Sequence, residues 1–195
     1  ANNRSNDGRV HPSGAFWVGT MAIGGTPGMG SVYAIRAGNV ERVVKDIAIS
    51  NSICFSPDGR TAYFADTPTG QIVKCTTDPD TGLPVSAWEL FADTSADPGN
   101  PDGSVVDSEG CLWSARWGGF CVIRYTPQGK IDRVVEVPSH QVSCPSFGGA
   151  DLGTLFVTTA RGNLSAEQLK TDPYAGGIFA MGPGVTGQAE PKFVL

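Results

Sequence analysis

The sequence repeats one pattern four times, and this repeat restricts the fold more than any other feature. The repeated segments begin at Asn6, Asn51, Asp102 and Ser143, which are 45, 51 and 41 residues apart. Each segment contains a short apolar strand, a turn with glycine, and a second strand rich in aromatic and β-branched residues. A further hairpin follows each segment, so we expect every repeat to hold four strands in roughly 45 residues.

A four-stranded repeat of this length is typical of a β-propeller blade. The 26 glycines and 14 prolines among 195 residues also favour short elements joined by tight turns. In "SPDG" and "DSEG" we expect glycine to supply the positive φ of a hairpin turn. A β-sandwich would not repeat at this period. We therefore predict an all-β propeller in one domain over residues 1–195, with about four blades. One capped helical turn is expected in "NLSAEQLKTDP", with Ser165 and Gln168 as a capping box.

Composition excludes several classes of partner. The net charge is −5 without a basic stripe, so nucleic acid is not expected as a partner. No apolar stretch is long enough to span a membrane. Both histidines, His11 and His140, lie in polar turns and are expected to be solvated. The five cysteines are odd in number, are widely spaced and form no C-x-x-C, which predicts buried thiols in a reducing, cytoplasmic compartment. The sequence leaves the oligomeric state open.

One polar position recurs in all four repeats. Four residues before an apolar residue of each inner strand the sequence has Asn6, Asn51, Asp102 and Ser143. Inner strands line the central channel of a propeller, so these side chains should form a ring of oxygen atoms, which suits a divalent cation. Asp102 is the ring member that can act as a base, and Arg4 could hold an anionic or hydroxyl-rich substrate. The same residue types are ordinary turn formers, and that reading stays open.

Five motifs carry a resemblance to a known family. "RSNDGRVHPSGAFWVGTM", "ISNSICFSPDGRTAYFADT", "NPDGSVVDSEGCLWSARWGG", "SCPSFGGADLGTLFVTTAR" and "AGGIF" resemble the senescence marker protein 30 / gluconolactonase / regucalcin family, in order and over nearly the whole chain. The resemblance implies a six-bladed propeller. It also implies hydrolysis of a sugar lactone to the aldonic acid, with one divalent metal ion in the channel (Ca²⁺, Zn²⁺ or Mn²⁺).

The resemblance also implies roles for single residues. Asn51 and Asp102 match metal ligands, and Asp102 matches the catalytic base as well. Arg4 and Asn6 match residues that hold the substrate, and Asp7 is their acidic neighbour in the same motif, which we also assign to substrate binding.

This sequence departs from the family pattern in two ways. No residue matches the family's third metal ligand, a glutamate of the first blade, and the sequence corresponds to the family from the third blade onward. We therefore expect two blades to precede these four, and we expect the chain to be unstable or to associate without them. In addition, Gly24 stands where the family often has an acidic residue that contacts substrate, so the choice of lactone is open.

Two other functions remain as alternatives. One is a non-catalytic propeller that binds calcium or a small metabolite. The other is a propeller esterase that acts on other lactones or on organophosphates. The fold by itself does not separate them, because propellers carry many functions.

Overall fold

The computed structural model describes residues 2–195, which form two compact units. The first unit comprises the residues up to Ser95 together with Ala189–Leu195, and the second comprises Ala96–Gln188. Each unit contains two antiparallel sheets in which consecutive strands are neighbours. The described residues contain fifteen strands and two short helical segments. The prediction of an all-β chain with four propeller blades is confirmed.

In the first unit each sheet has four strands. The strands of the first sheet are β1 (Asn3–Val10), β2 (Phe16–Ala22), β3 (Gly30–Arg36) and β4 (Asn39–Ile47). Those of the second are β5 (Ser50–Phe55), β6 (Thr61–Asp66), β7 (Gln71–Thr76) and β8 (Glu89–Asp93), and a 3-10 turn, Thr67–Thr69, follows β6. The inner strands β1 and β5 contact each other. Trp17, Ile53 and Phe64 belong to the core that the two sheets share.

The C-terminal segment belongs to the first unit. Val194 N–H donates to Gly14 O at 3.0 Å, and Ala37 N–H donates to Val194 O at 3.2 Å. Arg9 and Glu190 form an ion pair. These bonds fasten the last residues of the chain to the ends of β1, β2 and β3.

In the second unit the two sheets differ in strand number. The first has β9 (Asn100–Val106), β10 (Leu112–Trp117), β11 (Cys121–Tyr125) and β12 (Ile131–Glu136). The second has three strands, β13 (Val142–Gly148), β14 (Thr154–Thr159) and β15 (Ile178–Met181). The prediction of four strands in every repeat is therefore wrong for the last one. After Met181 the chain bonds to the blade ends instead, with Gly187 N–H donating to Leu152 O and Ser108 N–H to Thr186 O.

Local predictions from turn and cap chemistry are confirmed. Gly59 and Gly110, the glycines of "SPDG" and "DSEG", have φ of +65° and +79°. Helix α1 (Ala166–Thr171) begins with the expected capping box, because Ser165 and Gln168 each accept from the other's backbone N–H.

The burial of His11 differs from the expectation from the sequence, whereas that of most cysteines agrees with it. His11 is fully buried, whereas the sequence analysis expected it to be solvated. Its Nε2–H donates to Gly59 O at 2.9 Å, its Nδ1 accepts from Ser13 N–H at 3.0 Å, and its ring packs edge-on against Phe55. Because the turn at Gly59 folds over the ring, burial lowers the pKa of His11. The five cysteines are thiols rather than disulfides, and Cys144 is the one that is partly exposed. Among residues 2–195, no helix has the length and apolar character that crossing a bilayer requires.

Candidate functional site

Each inner strand has a β-bulge at or beside its repeated polar residue. In β1 the pair Asn6–Asp7 faces one residue of the neighbouring strand, and in β9 the pair Asp102–Gly103 does the same. The bulge of β13 lies at Ser143. Bulges redirect side chains and are frequent next to active sites. The bulges at Asn6, Asp102 and Ser143 therefore set these three residues apart from the regular alternation of their strands.

In β5 the register differs from the sequence alignment by one residue. The bulge falls on Ser52 and Ile53, so Asn51 directly precedes it. Ser52 has φ of +57°, a left-handed conformation that a polar turn-forming residue tolerates better than a β-branched one. Relative to the bulge of its own strand, Asn51 therefore lies one residue earlier than Asn6 does in β1.

The structure brings three of the predicted site residues into one chain of hydrogen bonds. Arg4 Nη1 donates to Asn6 Oδ1 at 2.8 Å. Asn6 Nδ2 donates to Ser50 O at 2.9 Å and to Asn51 Oδ1 at 3.2 Å. Asn51 Nδ2 donates to Thr67 Oγ1 at 2.8 Å. The chain runs from the exposed Arg4 and Asn6 to Asn51, which is only 6% exposed.

Thr67 is a member of this chain that the sequence analysis missed. It lies in the 3-10 turn after β6, and its hydroxyl receives the Asn51 amide N–H. That bond fixes Asn51 Oδ1 as the atom directed toward Asn6 and away from the turn. The sequence does not mark Thr67 as a site residue, because a threonine in "DTPTG" has the appearance of an ordinary turn residue.

Asp7 ties β1 to β5. Its Oδ1 accepts from Gly8 N–H and its Oδ2 accepts from Ile53 N–H, both at 2.8 Å. Burial raises the pKa of Asp7, although the two backbone donors and Arg9 act in the opposite direction. Both carboxylate oxygens are engaged by the backbone, so in this structure Asp7 joins two bulges and thereby positions Asn6.

A close approach between β2 and β5 supports the same region. Gly19 faces the Asn6–Asp7 bulge, and a Cβ at this position would overlap the side chain of Ser50. Ser50 Oγ is buried and has no hydrogen-bond partner among the described residues. Glycine at position 19 therefore allows Ser50, and with it Asn51, to lie directly against β2.

Asp102 lies in the second unit, and Arg4, Asn6, Asp7 and Asn51 lie in the first. Asp102 is half-buried in the β9 bulge. The next residue, Gly103, lies so close to β13 that a Cβ would be 2.6 Å from Cys144 Sγ and 2.9 Å from Ser143 O. The Ser143 hydroxyl bonds to Thr158 Oγ1 at 2.8 Å. Within this unit the bulges that carry Asp102 and Ser143 are therefore adjacent.

A second group of possible metal ligands surrounds an arginine. Asp107, Glu109 and Cys111 place ligand-type atoms within 4.8 Å of one another. Asp107 is fully buried, and its Oδ2 lies 2.7 Å from Arg124 Nη2, which also contacts Glu109 at 2.6 Å. Asp107 also accepts bonds from Trp113 Nε1 and two backbone N–H groups. The guanidinium group thus already supplies the positive charge here, which favours a structural role.

Comparisons with known proteins agree with the propeller fold. The family model described as "SMP-30/Gluconolactonase/LRE-like region" matches residues 1–161. A putative sugar lactone lactonase of Rhizobium meliloti is 44% identical over 99% of this chain and 66% of its own length. An L-arabinolactonase of Azospirillum brasilense is 42% identical over 97% of this chain and 63% of its own length.

A solved structure is similar over the whole chain. It is regucalcin of Agrobacterium tumefaciens, described as a calcium-binding protein, and it superimposes with a TM-score of 0.97 at 45% identity. The match covers 100% of this chain and 66% of that protein. The chain thus spans just under two thirds of the length of the proteins it matches. Because the family model covers most of the sequence, the chain belongs to the SMP-30/gluconolactonase/LRE-like family.

Proposed function

We propose that the chain is part of a metal-dependent sugar lactonase that opens a lactone ring to the aldonic acid. The observation that carries this proposal is the hydrogen-bond chain from Arg4 through Asn6 to Asn51, supported by two bulges and ending on the half-buried Thr67. In this arrangement the Arg4 guanidinium and the Asn6 amide can bind a hydroxyl-rich ligand. The Asn51 amide oxygen, whose direction is fixed, can bind a metal ion. The lactonase names of the relatives point to the same chemistry.

The residues fit a divalent cation in donor chemistry. Asn51 presents an amide oxygen whose direction is fixed by Thr67, and Asp102 presents a carboxylate. Oxygen ligands of this kind suit Ca²⁺ and Mn²⁺ and are accepted by Zn²⁺. When bound, the ion would polarise the lactone carbonyl and make water more acidic. We assign Asn51 and Asp102 as the ligands that this chain contributes.

The remaining steps fall to side chains of this chain. Arg4 and Asn6 hold hydroxyl groups of the sugar, and Asp7 keeps Asn6 in place by bonding the β5 backbone. The Asp102 carboxylate accepts a proton from the water that attacks the lactone carbonyl. A bond forms between that water oxygen and the carbonyl carbon, the bond from that carbon to the ring oxygen breaks, and the ring oxygen takes up a proton. The product is the open-chain acid.

The test is proton release from glucono-1,5-lactone and from L-arabinono-lactone, measured against spontaneous hydrolysis. Assays contain Ca²⁺, Zn²⁺, Mn²⁺ or EDTA. We expect EDTA to abolish turnover and Asp102→Asn to reduce it by about 10²-fold or more. Asp58→Asn, in an exposed turn, is the matched control and should leave turnover unchanged. Turnover that resists EDTA and survives Asp102→Asn would contradict the proposal.

A second candidate is a propeller that binds calcium or a small metabolite without catalysis. The calcium-binding description of the similar solved structure favours it. Calcium binding measured by calorimetry, together with no acceleration of any lactone in the assay, would support this candidate over the lactonase. An esterase of other specificity would instead show metal-dependent turnover on aryl esters but not on sugar lactones.

A further inference from the structure

The second unit contains a cavity that none of the predicted site residues lines. Its volume is about 610 Å³, within the range of small-molecule sites. Its walls are mainly apolar and carry one carboxylate. The lining residues are Pro98, Gly119, Phe120, Cys121, Val134, Glu136, Val137 and Pro138.

One wall of the cavity is held by a buried arginine. Arg116 is fully buried, and its guanidinium donates to Pro98 O at 3.0 Å and to Gly99 O at 2.8 Å. Gly119 N–H donates to Arg116 O at 2.9 Å. A Cβ at Gly119 would be 2.6 Å from Pro98 O, so the two segments touch and leave no room for a side chain. These contacts hold the two segments of this wall together.

Phe120 forms the edge of the cavity in an unusual conformation. Its φ is +56°, a region that bulky residues rarely adopt, and its side chain is 50% exposed. The backbone is held there because Val137 N–H donates to Phe120 O at 2.7 Å. The ring packs edge-on against His140, with centroids 5.0 Å apart. A left-handed aromatic residue fixed at a cavity edge is the kind of outlier that marks binding sites.

The charge of the cavity indicates its ligand. Glu136 is exposed and forms no ion pair with any side chain that the structure describes. Arg116 does not line the cavity, and its guanidinium donates to two backbone carbonyl groups. Burial raises the pKa of the Cys121 thiol, so that thiol is neutral. The carboxylate at the rim is therefore the charge that a ligand meets. A sugar lactone, which is polyhydroxylated, would find few hydrogen-bond partners among these prolines and valines.

We propose that this cavity binds a small organic cation with an aromatic or alkyl body, whose ammonium group pairs with Glu136. The apolar body packs between Pro98, Phe120 and Val134, and the cation can also lie near the Phe120 ring. The site is separate from the residues assigned to lactone hydrolysis, so it is a second ligand site of the chain.

The test uses two probes of similar shape and opposite charge, tryptammonium and indole-3-propionate. Binding to the full 195-residue chain is followed by ligand-observed NMR at low salt. We expect tryptammonium to bind with a dissociation constant of about 1 mM or below, and indole-3-propionate to bind at least about tenfold more weakly. Glu136→Gln should raise the constant for tryptammonium by about fivefold or more.

Val134→Lys places a competing ammonium group in the cavity and should abolish tryptammonium binding. Val40→Lys is the matched control, because Val40 is also an exposed valine on an outer strand, 64% exposed against 51% for Val134. It should leave binding unchanged. Equal affinity for the two probes, binding retained by Val134→Lys, or no tryptammonium binding at about 5 mM would overturn the proposal. None of these outcomes depends on lactone hydrolysis.

Discussion

Replacing Thr67 by valine should weaken metal binding without removing a proposed ligand. Valine keeps the shape of threonine but cannot accept the Asn51 Nδ2–H bond, which is 2.8 Å long. Since Asn51 is only 6% exposed, its amide N–H would be left unsatisfied at a cost of about 1–3 kcal/mol. The amide can avoid this cost by turning, and its oxygen is then no longer fixed. A difference of this size corresponds to roughly a 5- to 150-fold loss of metal affinity.

Calorimetric titration with Ca²⁺ and Mn²⁺ measures this effect directly. The conservative variant Thr67→Ser restores the hydroxyl and should recover most of the affinity. Thr69→Val makes the same chemical change in the same 3-10 turn. The Thr69 hydroxyl bonds to Asp66 O at 2.7 Å and accepts from Gln71 N–H, but it has no bond to Asn51. This control should therefore bind metal like the unsubstituted chain.

Two results would refute the reasoning about Thr67. The first is unchanged metal affinity in Thr67→Val, which would mean that the Asn51 amide needs no fixed direction. The second is an equal loss in Thr67→Ser, which would mean that side-chain volume rather than the hydrogen bond matters. No metal binding by the unsubstituted chain would instead contradict the proposed function.

Three further predictions concern stability, measured by urea denaturation. Gly19→Ala should destabilise the chain by about 1–3 kcal/mol, because the new Cβ overlaps Ser50. Adding Ser50→Gly to this variant should recover at least half of that loss. If the stability losses of the two single variants simply add in the double variant, the overlap is not the cause. Asp107→Asn should cost about 3–5 kcal/mol because it leaves buried Arg124 without its one fully buried carboxylate partner among the described residues. The exposed Glu109→Gln should cost less than about 1 kcal/mol, and equal costs would refute this ranking. Burial lowers the pKa of His11 below 6.5, so near and below this pH the folded chain binds fewer protons than the unfolded chain. The free energy of unfolding should therefore decrease as the pH falls below about 6.5, by at most roughly 1.4 kcal/mol per pH unit. An equally steep decrease in His11→Gln would rule this out.

Features that depend on a few adjacent residues could be read from the sequence. The glycine turns at Gly59 and Gly110 and the capping box of Ser165 and Gln168 form as predicted, because turn and cap geometry depend on neighbours along the chain. The spacing of these turns was sufficient to predict four antiparallel sheets. The proximity of Asn6 and Asn51 also followed from the repeat, because equivalent positions of neighbouring inner strands lie side by side.

Tertiary structure decided what depends on contacts between distant residues. The bulge of β5 lies one residue later than the repeat implied, and this determines how Asn51 reaches Asn6 and Thr67. His11 is buried because the turn at Gly59, 48 residues away, covers it. The last repeat has three strands because the chain after Met181 bonds to other blade ends. The sequence by itself determined the blades and the polar position in each, since both follow from local periodicity. The direction of each polar side chain and its partners came from packing between strands, where a shift of one residue changes every contact.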